Sequence, residues 1–162
     1  MQIVVIFVHF KICCMRAVSA HAVIKASCHR ILEAFISMSD LKNWWSVSRS
    51  LIETARGGLY SLAWKGAIEN GYQYVASGII DSFIPGEELI IAKFVYFNFE
   101  KNILGPFRLT ITVKQVDPEY SKIDVVQSGY QDGGDWDWYY TSVVKGWPQA
   151  LGLLKDWLEN NP

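Results

Sequence analysis

A chain of 162 residues with a formal net charge of −1 has room for one domain with a sizeable core and little left for a second. No run of Lys or Arg stands out, so nucleic acid, acidic substrates and anionic membrane find no electrostatic handle. Aromatic residues make up 14%, with seven Trp and eight Tyr. That is more ring surface than a minimal core needs, so the rings either fill the interior of a wide sheet or line a pocket.

Residues Ile3 to Phe10 are almost wholly apolar, and Val18-Ser19-Ala20 has the form of a cleavage site. No positive charge precedes the run, Lys11 interrupts it, and it is too short to span a bilayer. Cleavage after Ala20 would also cut a strand. Residues 1–16 are therefore read as an N-terminal extension, with Met15 as a natural start, and residues 17–160 as a single domain. Cys13, Cys14 and Cys28 are an odd set with one adjacent pair, which is no disulfide framework. A reducing cytoplasm is the expected compartment.

Val18 to Ala26 alternates as a strand does, and Ser27 follows as a helix N-cap. Ile31, Leu32, Phe35, Ile36 and Met38 recur at helical spacing. Ser39-Asp40 is placed to cap a second short helix that carries Leu41, Trp44 and Trp45. From Ser50 the pattern changes to strands separated by turns at Gly57-Gly58, Asn70-Gly71, Pro85-Gly86 and Asp117-Pro118. Along these strands Phe107, Leu109, Ile111 and Val113 alternate with Arg108, Thr110, Thr112 and Lys114. Likewise Ile123, Val125 and Gln127 alternate with Asp124, Val126 and Ser128. Consecutive hairpins predict an antiparallel meander of about six strands after the first, with one face covered.

A Gly/Asp loop, Gln131 to Asp135, leads into a long helix. Trp136, Tyr140, Val143, Trp147, Leu151, Leu154 and Leu158 share its apolar stripe. Pro148 removes one backbone donor and is expected to kink the helix near Val144. The chain is thus of the α+β class. A twisted sheet curls, its concave face needs a cover, and the last helix is the element long and apolar enough to supply it.

Several strings are similar to the family of the heat-shock protein 90 ATPase activator, within the START/birch-pollen-allergen superfamily. Ser27 to Trp45 resembles its opening, a capped helix and then a short helix ending in paired tryptophans. Gly57 to Trp64 resembles its glycine hairpin, and Gly78 with Pro85 to Leu89 resembles a strand and turn. Gln127 to Tyr130 and Gly146-Trp147 with Leu151, Leu154, Leu158 and Glu159 resemble the last strand and helix. Together they span roughly residues 18 to 160 in the family's order. The resemblance implies a helix-grip fold: a curved antiparallel sheet of six to seven strands around a long C-terminal helix, with two short helices after the first strand and a cavity between sheet and helix. It implies chemistry much less, because one fold hosts many functions.

Little in the sequence points to catalysis or to a bound metal. His9, His21 and His29 lack zinc-ligand spacing, and Asp132, Asp135 and Asp137 lack a calcium-loop pattern. There is no Gly-x-Ser-x-Gly elbow and no phosphate-cradling loop. No cofactor and no catalytic residue is expected, although one inward carboxylate or Tyr would suffice for acid–base work. By alternation the inner face of the sheet carries Tyr60, Trp64, Tyr74, Phe94, Tyr96 and Phe107. Trp45, Tyr140 and Trp147 come from the helices. Gln127 falls in register with inward Ile123 and Val125, so its amide either bonds a neighbouring Tyr or backbone group or awaits a ligand.

The expected function is to bind a small hydrophobic molecule between sheet and last helix. Removing ~300 Å² of apolar surface from water yields about 7–8 kcal/mol before association costs, which favours an extended lipid, a polyketide or a multi-ring aromatic over a fragment. The alternatives are a chaperone-interacting module, as the resemblance implies, and a cyclase- or hydratase-type enzyme in the same cavity. Neither nucleic acid nor membrane is an expected partner, a chaperone contact would be weak, and the oligomeric state is left open. Deletion of residues 1–14 is expected to leave a single cooperative thermal transition; its loss would make the apolar run part of the core.

Overall fold

The computed structural model describes residues 16–67 and 69–162. The apolar run Ile3 to Phe10, the start at Met15, and His9, Cys13 and Cys14 lie outside the described residues. Hairpin turns and period-two alternation make the described strands into one antiparallel sheet. Its members are β1 (Arg16–Ile24), β2 (Arg49–Ile52), β3 (Leu59–Trp64), β4 (Tyr74–Ile84), β5 (Glu88–Asn98), β6 (Leu104–Gln115) and β7 (Ser121–Tyr130). The order is β1-β7-β6-β5-β4-β3-β2, so the meander from β2 to β7 is closed at one edge by the first strand. Between β1 and β2 lie α1 (Cys28–Glu33) and α2 (Met38–Trp44), and the chain ends on α3 (Gly134–Asn160).

The sheet curves because its central strands are bulged. Registers shift between Ser77 and Ile79 on β4 and between Ile91 and Phe94 on β5, and Lys93, within the second bulge, sits at φ 52°. Bulges bend a strand and increase its twist. Here the bend turns the Phe94 ring inward and leaves Lys93 exposed. Gly78 faces this bulge, where a β-carbon would stand 2.6 Å from Ile91 Cγ2; only glycine allows that approach.

α3 lies closely along β1 and barely touches β7. Its C-terminal half buries Trp147, Leu151, Leu154 and Leu158, the stripe expected from their spacing, and the helix runs without interruption through the exposed Pro148. Towards its N-terminus the buried face changes. Tyr139 is buried there, while Trp136 and Tyr140 are half-buried. A sheet that curls round one long helix is the helix-grip arrangement.

The short helices differ from expectation at one cap. Ser27 caps α1 as predicted, its hydroxyl accepting from Arg30 N at 3.2 Å. α2 is capped by Ser37 rather than by Ser39-Asp40, with Ser37 Oγ accepting from Asp40 N at 3.4 Å. Asp40 has another role. Its carboxylate takes both arms of the Arg30 guanidinium at 2.9 and 2.8 Å, and Trp157 Nε1 on α3 donates to it at 2.8 Å. The buried carboxylate thereby ties α1, α2 and the end of α3 together.

Burial alone would push the Asp40 carboxyl up, but Arg30, Trp157 and Ser37 outweigh it and hold it below the ordinary value. A carboxyl depressed in the folded state stabilises the fold fully above its unfolded value of about 3.9, and loses that contribution as pH falls through the lower folded value. Asp40→Asn is expected to cost about 1.5–3 kcal/mol in urea melts at neutral pH, because it removes the charged acceptor of Arg30. Among the described residues that leaves only the more exposed Glu33, 3.9 Å away, as its counter-charge. The gap to wild type should close as pH falls below the carboxylate range.

Candidate functional site

Between α3 and the middle of the sheet lies a cavity of about 300 Å³, partly open to solvent. Cross-strand pairing sets its floor. Trp64 lies opposite Tyr74, and Ala76 lies opposite Tyr96, so the small alanine side chain leaves room beside a large ring. α3 contributes Tyr139, Ser142, Val143, Gly146, Trp147 and Ala150. Gly146 is the telling position, because a β-carbon there would meet nothing within 4 Å. Glycine inside a helix costs about 1 kcal/mol relative to alanine; here it widens the space that the helix overhangs.

The rings form two walls. On one side Tyr74 stacks on Tyr96 at 6.2 Å and Tyr96 on Tyr139 at 4.5 Å, with interplanar angles of 20° and 26°. On the other, Trp45 meets Trp64 edge-on at 5.4 Å and lies tilted against Trp147 at 5.5 Å. Trp64 Nε1 donates to the Trp45 carbonyl at 2.9 Å, which holds the end of α2 against β3. These contacts keep the rings packed on one another at the rim of the void.

Gln127 supplies the buried polar group, at 2% exposure. Its alternation with Ile123 and Val125 aims it inward as expected, and it has protein partners while also lining the cavity. Trp147 Nε1 donates to Gln127 Oε1 at 3.1 Å, and Gln127 Nε2 donates to the Tyr139 hydroxyl at 3.4 Å. Burial pushes the Tyr139 and Tyr96 phenols up, so both stay protonated at neutral pH. The lining residues include no carboxylate, imidazole, thiol or cation. Among the described residues, no three His, Cys, Asp or Glu side chains converge as metal ligands would. The arrangement can enclose, stack and hydrogen-bond a neutral molecule.

Of the residues expected at the site, Trp45, Trp64, Tyr74, Phe94, Tyr96, Gln127 and Trp147 come together around this cavity. Three do not. Tyr60 is buried against the connection between α1 and α2, its hydroxyl donating to the Phe35 carbonyl at 2.9 Å. Phe107 is buried behind the wall, 5.3 Å from Tyr139, 4.9 Å from Tyr130 and 5.5 Å from Trp136, and does not line the cavity. Tyr140 turns towards β1, where the Arg16 guanidinium lies 4.7 Å over its ring. Tyr139 takes the place that Tyr140 was expected to hold. The physical reason is rotation about the helix axis. Tyr139, Val143, Gly146 and Ala150 recur at spacings of three and four, but this row lies roughly a quarter-turn from the stripe centred on Trp147 and Leu154. The leucines of the stripe pack, Trp147 at its edge reaches the void, and the flanking row from Tyr139 to Ala150 faces it. A search for that second row would have found Tyr139.

A second groove of about 420 Å³ lies between Met38, Ser48, Arg49, Ser50, Lys65 and Tyr72. It is larger but more polar, with Arg49 and Lys65 in its lining and a single ring, Tyr72. Among the described residues, no helix is long and apolar enough to cross a membrane.

The fold agrees with comparisons to known proteins. No curated protein matches the chain. Protein MLL2253 from Mesorhizobium loti is a structural neighbour with a TM-score of 0.70 and 17% identity, covering 91% of this chain and 99% of its own. The Aha1 dimer from Colwellia psychrerythraea gives a TM-score of 0.64 at 16% identity, over 88% of this chain and 95% of that one. CalU16 from Micromonospora echinospora gives 0.63 at 14% identity, over 91% of this chain and 77% of that one. At such identities these likenesses establish the fold alone. The family model described as Activator of Hsp90 ATPase homolog 1-like protein matches residues 25–159, nearly the whole span from α1 to the end of α3, and the chain belongs to that family.

Proposed function

We propose that the protein binds a small, neutral, hydrophobic molecule in the cavity between α3 and the sheet. The observation that carries this reading is a space of about 300 Å³ walled by rings and kept open by small residues. Ala76, Gly146 and Ala150 lie where larger side chains would fill it. Ligand pockets range from roughly 300 to 1,000 Å³, so this one is at the small end. Its size and its flat walls favour a multi-ring aromatic or a folded polyketide over a long acyl chain. Its neutral lining disfavours a carboxylate or phosphate headgroup, which would be buried without a counter-charge.

Titration with the neutral dye Nile red tests the reading. Saturable enhancement of dye emission is expected, with loss of tryptophan fluorescence, because Trp45, Trp64 and Trp147 all border the cavity. Gly146→Leu places a side chain into open space and removes a helix-interior glycine, so the fold should persist with equal or higher thermal stability. Dye affinity should fall at least about tenfold, which corresponds to ~1.4 kcal/mol. Unchanged dye binding in a folded Gly146→Leu protein would place the dye elsewhere and reject the cavity.

Gln127→Leu separates the amide's structural part from its position on the wall. Leucine leaves the buried Trp147 N–H without its acceptor. The denaturant midpoint is expected to fall by the equivalent of about 1–3 kcal/mol with an unchanged slope.

A further inference from the structure

The donors and acceptors around Gln127 are unequal in number, and the imbalance selects a ligand chemistry. An indole N–H can only donate, so the Trp147 bond at 3.1 Å fixes which end of the Gln127 amide is oxygen. The NH₂ end must then point to Tyr139, and it donates to that hydroxyl at 3.4 Å. With its oxygen accepting there, the Tyr139 hydroxyl must send its own proton elsewhere. Among the described residues, nothing accepts that proton, and nothing accepts the second hydrogen on Gln127 Nε2. Burial keeps the phenol protonated. Both side chains line the cavity, yet they are only 2% and 7% exposed as residues.

Two adjacent donors without protein acceptors, at the edge of a largely apolar space, are the complement of one oxygen with two lone pairs. We infer that Gln127 and Tyr139 form a carbonyl-binding subsite, and that the cavity takes a neutral, planar aromatic ketone or quinone. A ligand hydroxyl would bring a further proton to a place already rich in donors. A carboxylate would bring a charge that no lining cation balances. Flat rings are favoured by the Tyr74–Tyr96–Tyr139 stack on one wall and the tryptophans on the other. Trp147 acts as a positioning residue: it touches the cavity, and its N–H sets the orientation of the amide.

This inference rests on the reading of the cavity as a site for hydrophobic molecules, so its test separates the two. Fluorene and 9-fluorenone have nearly the same tricyclic shape and differ in a CH₂ against a C=O. Partition from water alone favours the hydrocarbon. The wild-type protein is expected to bind fluorenone about tenfold more tightly than fluorene, as one to two well-placed hydrogen bonds allow. In Tyr139→Phe that ratio should fall to about threefold or less. The ratio is the readout because a general loosening of the packing weakens both probes alike. If wild type binds both compounds with equal affinity, the carbonyl subsite is rejected while the hydrophobic site stands. A tenfold preference that persists in Tyr139→Phe removes Tyr139 from the subsite and overturns the pair. If neither compound binds, the hydrophobic site fails and the subsite with it.

Discussion

The position of α3 governs the rest of the molecule, and buried Asp40 governs one end of it. This carboxylate holds Arg30 through two hydrogen bonds and Trp157 through a third, so α1, α2 and the last turns of α3 cannot move independently. Nearby, Lys155 Nζ donates to the Val23 carbonyl at 3.0 Å, and Lys25 N donates to Glu159 Oε1 at 3.0 Å. Below them Leu151, Leu154 and Leu158 are completely or almost completely buried. At the opposite end, Arg16 pairs with Asp132 and Asp137 at 3.1 and 2.8 Å, and Asn102 and Lys101 reach Asp135 from the β5–β6 loop. These outer pairs are partly solvent-exposed and individually weak. The inner network and the leucines carry most of the anchoring.

With both ends held, the middle of the helix cannot settle onto the sheet, and the side chains there decide whether the gap is filled. Trp147 reaches across and bonds Gln127; Gly146 and Ala150 do not reach. Tyr139 continues the stack from Tyr96 and closes the far side. The cavity is therefore a consequence of two rows on one helix, a packing row of large apolar residues and a spanning row that is mostly small. Replacing the small residues would not strain the fold at Gly146, where there is space. Filling the gap with a larger side chain would add apolar contacts, so stability alone does not account for the small residue found there.

The same geometry explains why a polar amide is tolerated in an apolar interior. An unpaired buried amide costs roughly 1–3 kcal/mol, but Gln127 is held from both ends by ring donors and acceptors that are themselves buried. The arrangement is satisfied on its oxygen and incompletely satisfied on its hydrogens. A water or a ligand oxygen can complete it.

Much of this was legible in the residues themselves. The alternation of Ile123, Val125 and Gln127 against Asp124 and Val126 gave the inward face of β7, Ser27 announced the start of α1, and the turn pairs marked the hairpins. These features are local, since the side-chain direction along a strand and the cap of a helix depend on a few neighbours. The quantities that were not legible are relations between distant segments. Ser37 rather than Ser39 caps α2, and Asp40 is drawn to Arg30 and Trp157 instead. Tyr139 rather than Tyr140 faces the void, because the helix is oriented by its leucines against β1 and its flank, not its stripe, overhangs β4 and β5. Tyr60 and Phe107 share the inward alternation of Trp64 and Phe94, yet Tyr60 is covered by the connection between α1 and α2 and Phe107 by the start of α3. Alternation determines the face on which a ring lies; what covers that face is decided only when the sheet has curled and the last helix has been placed across it.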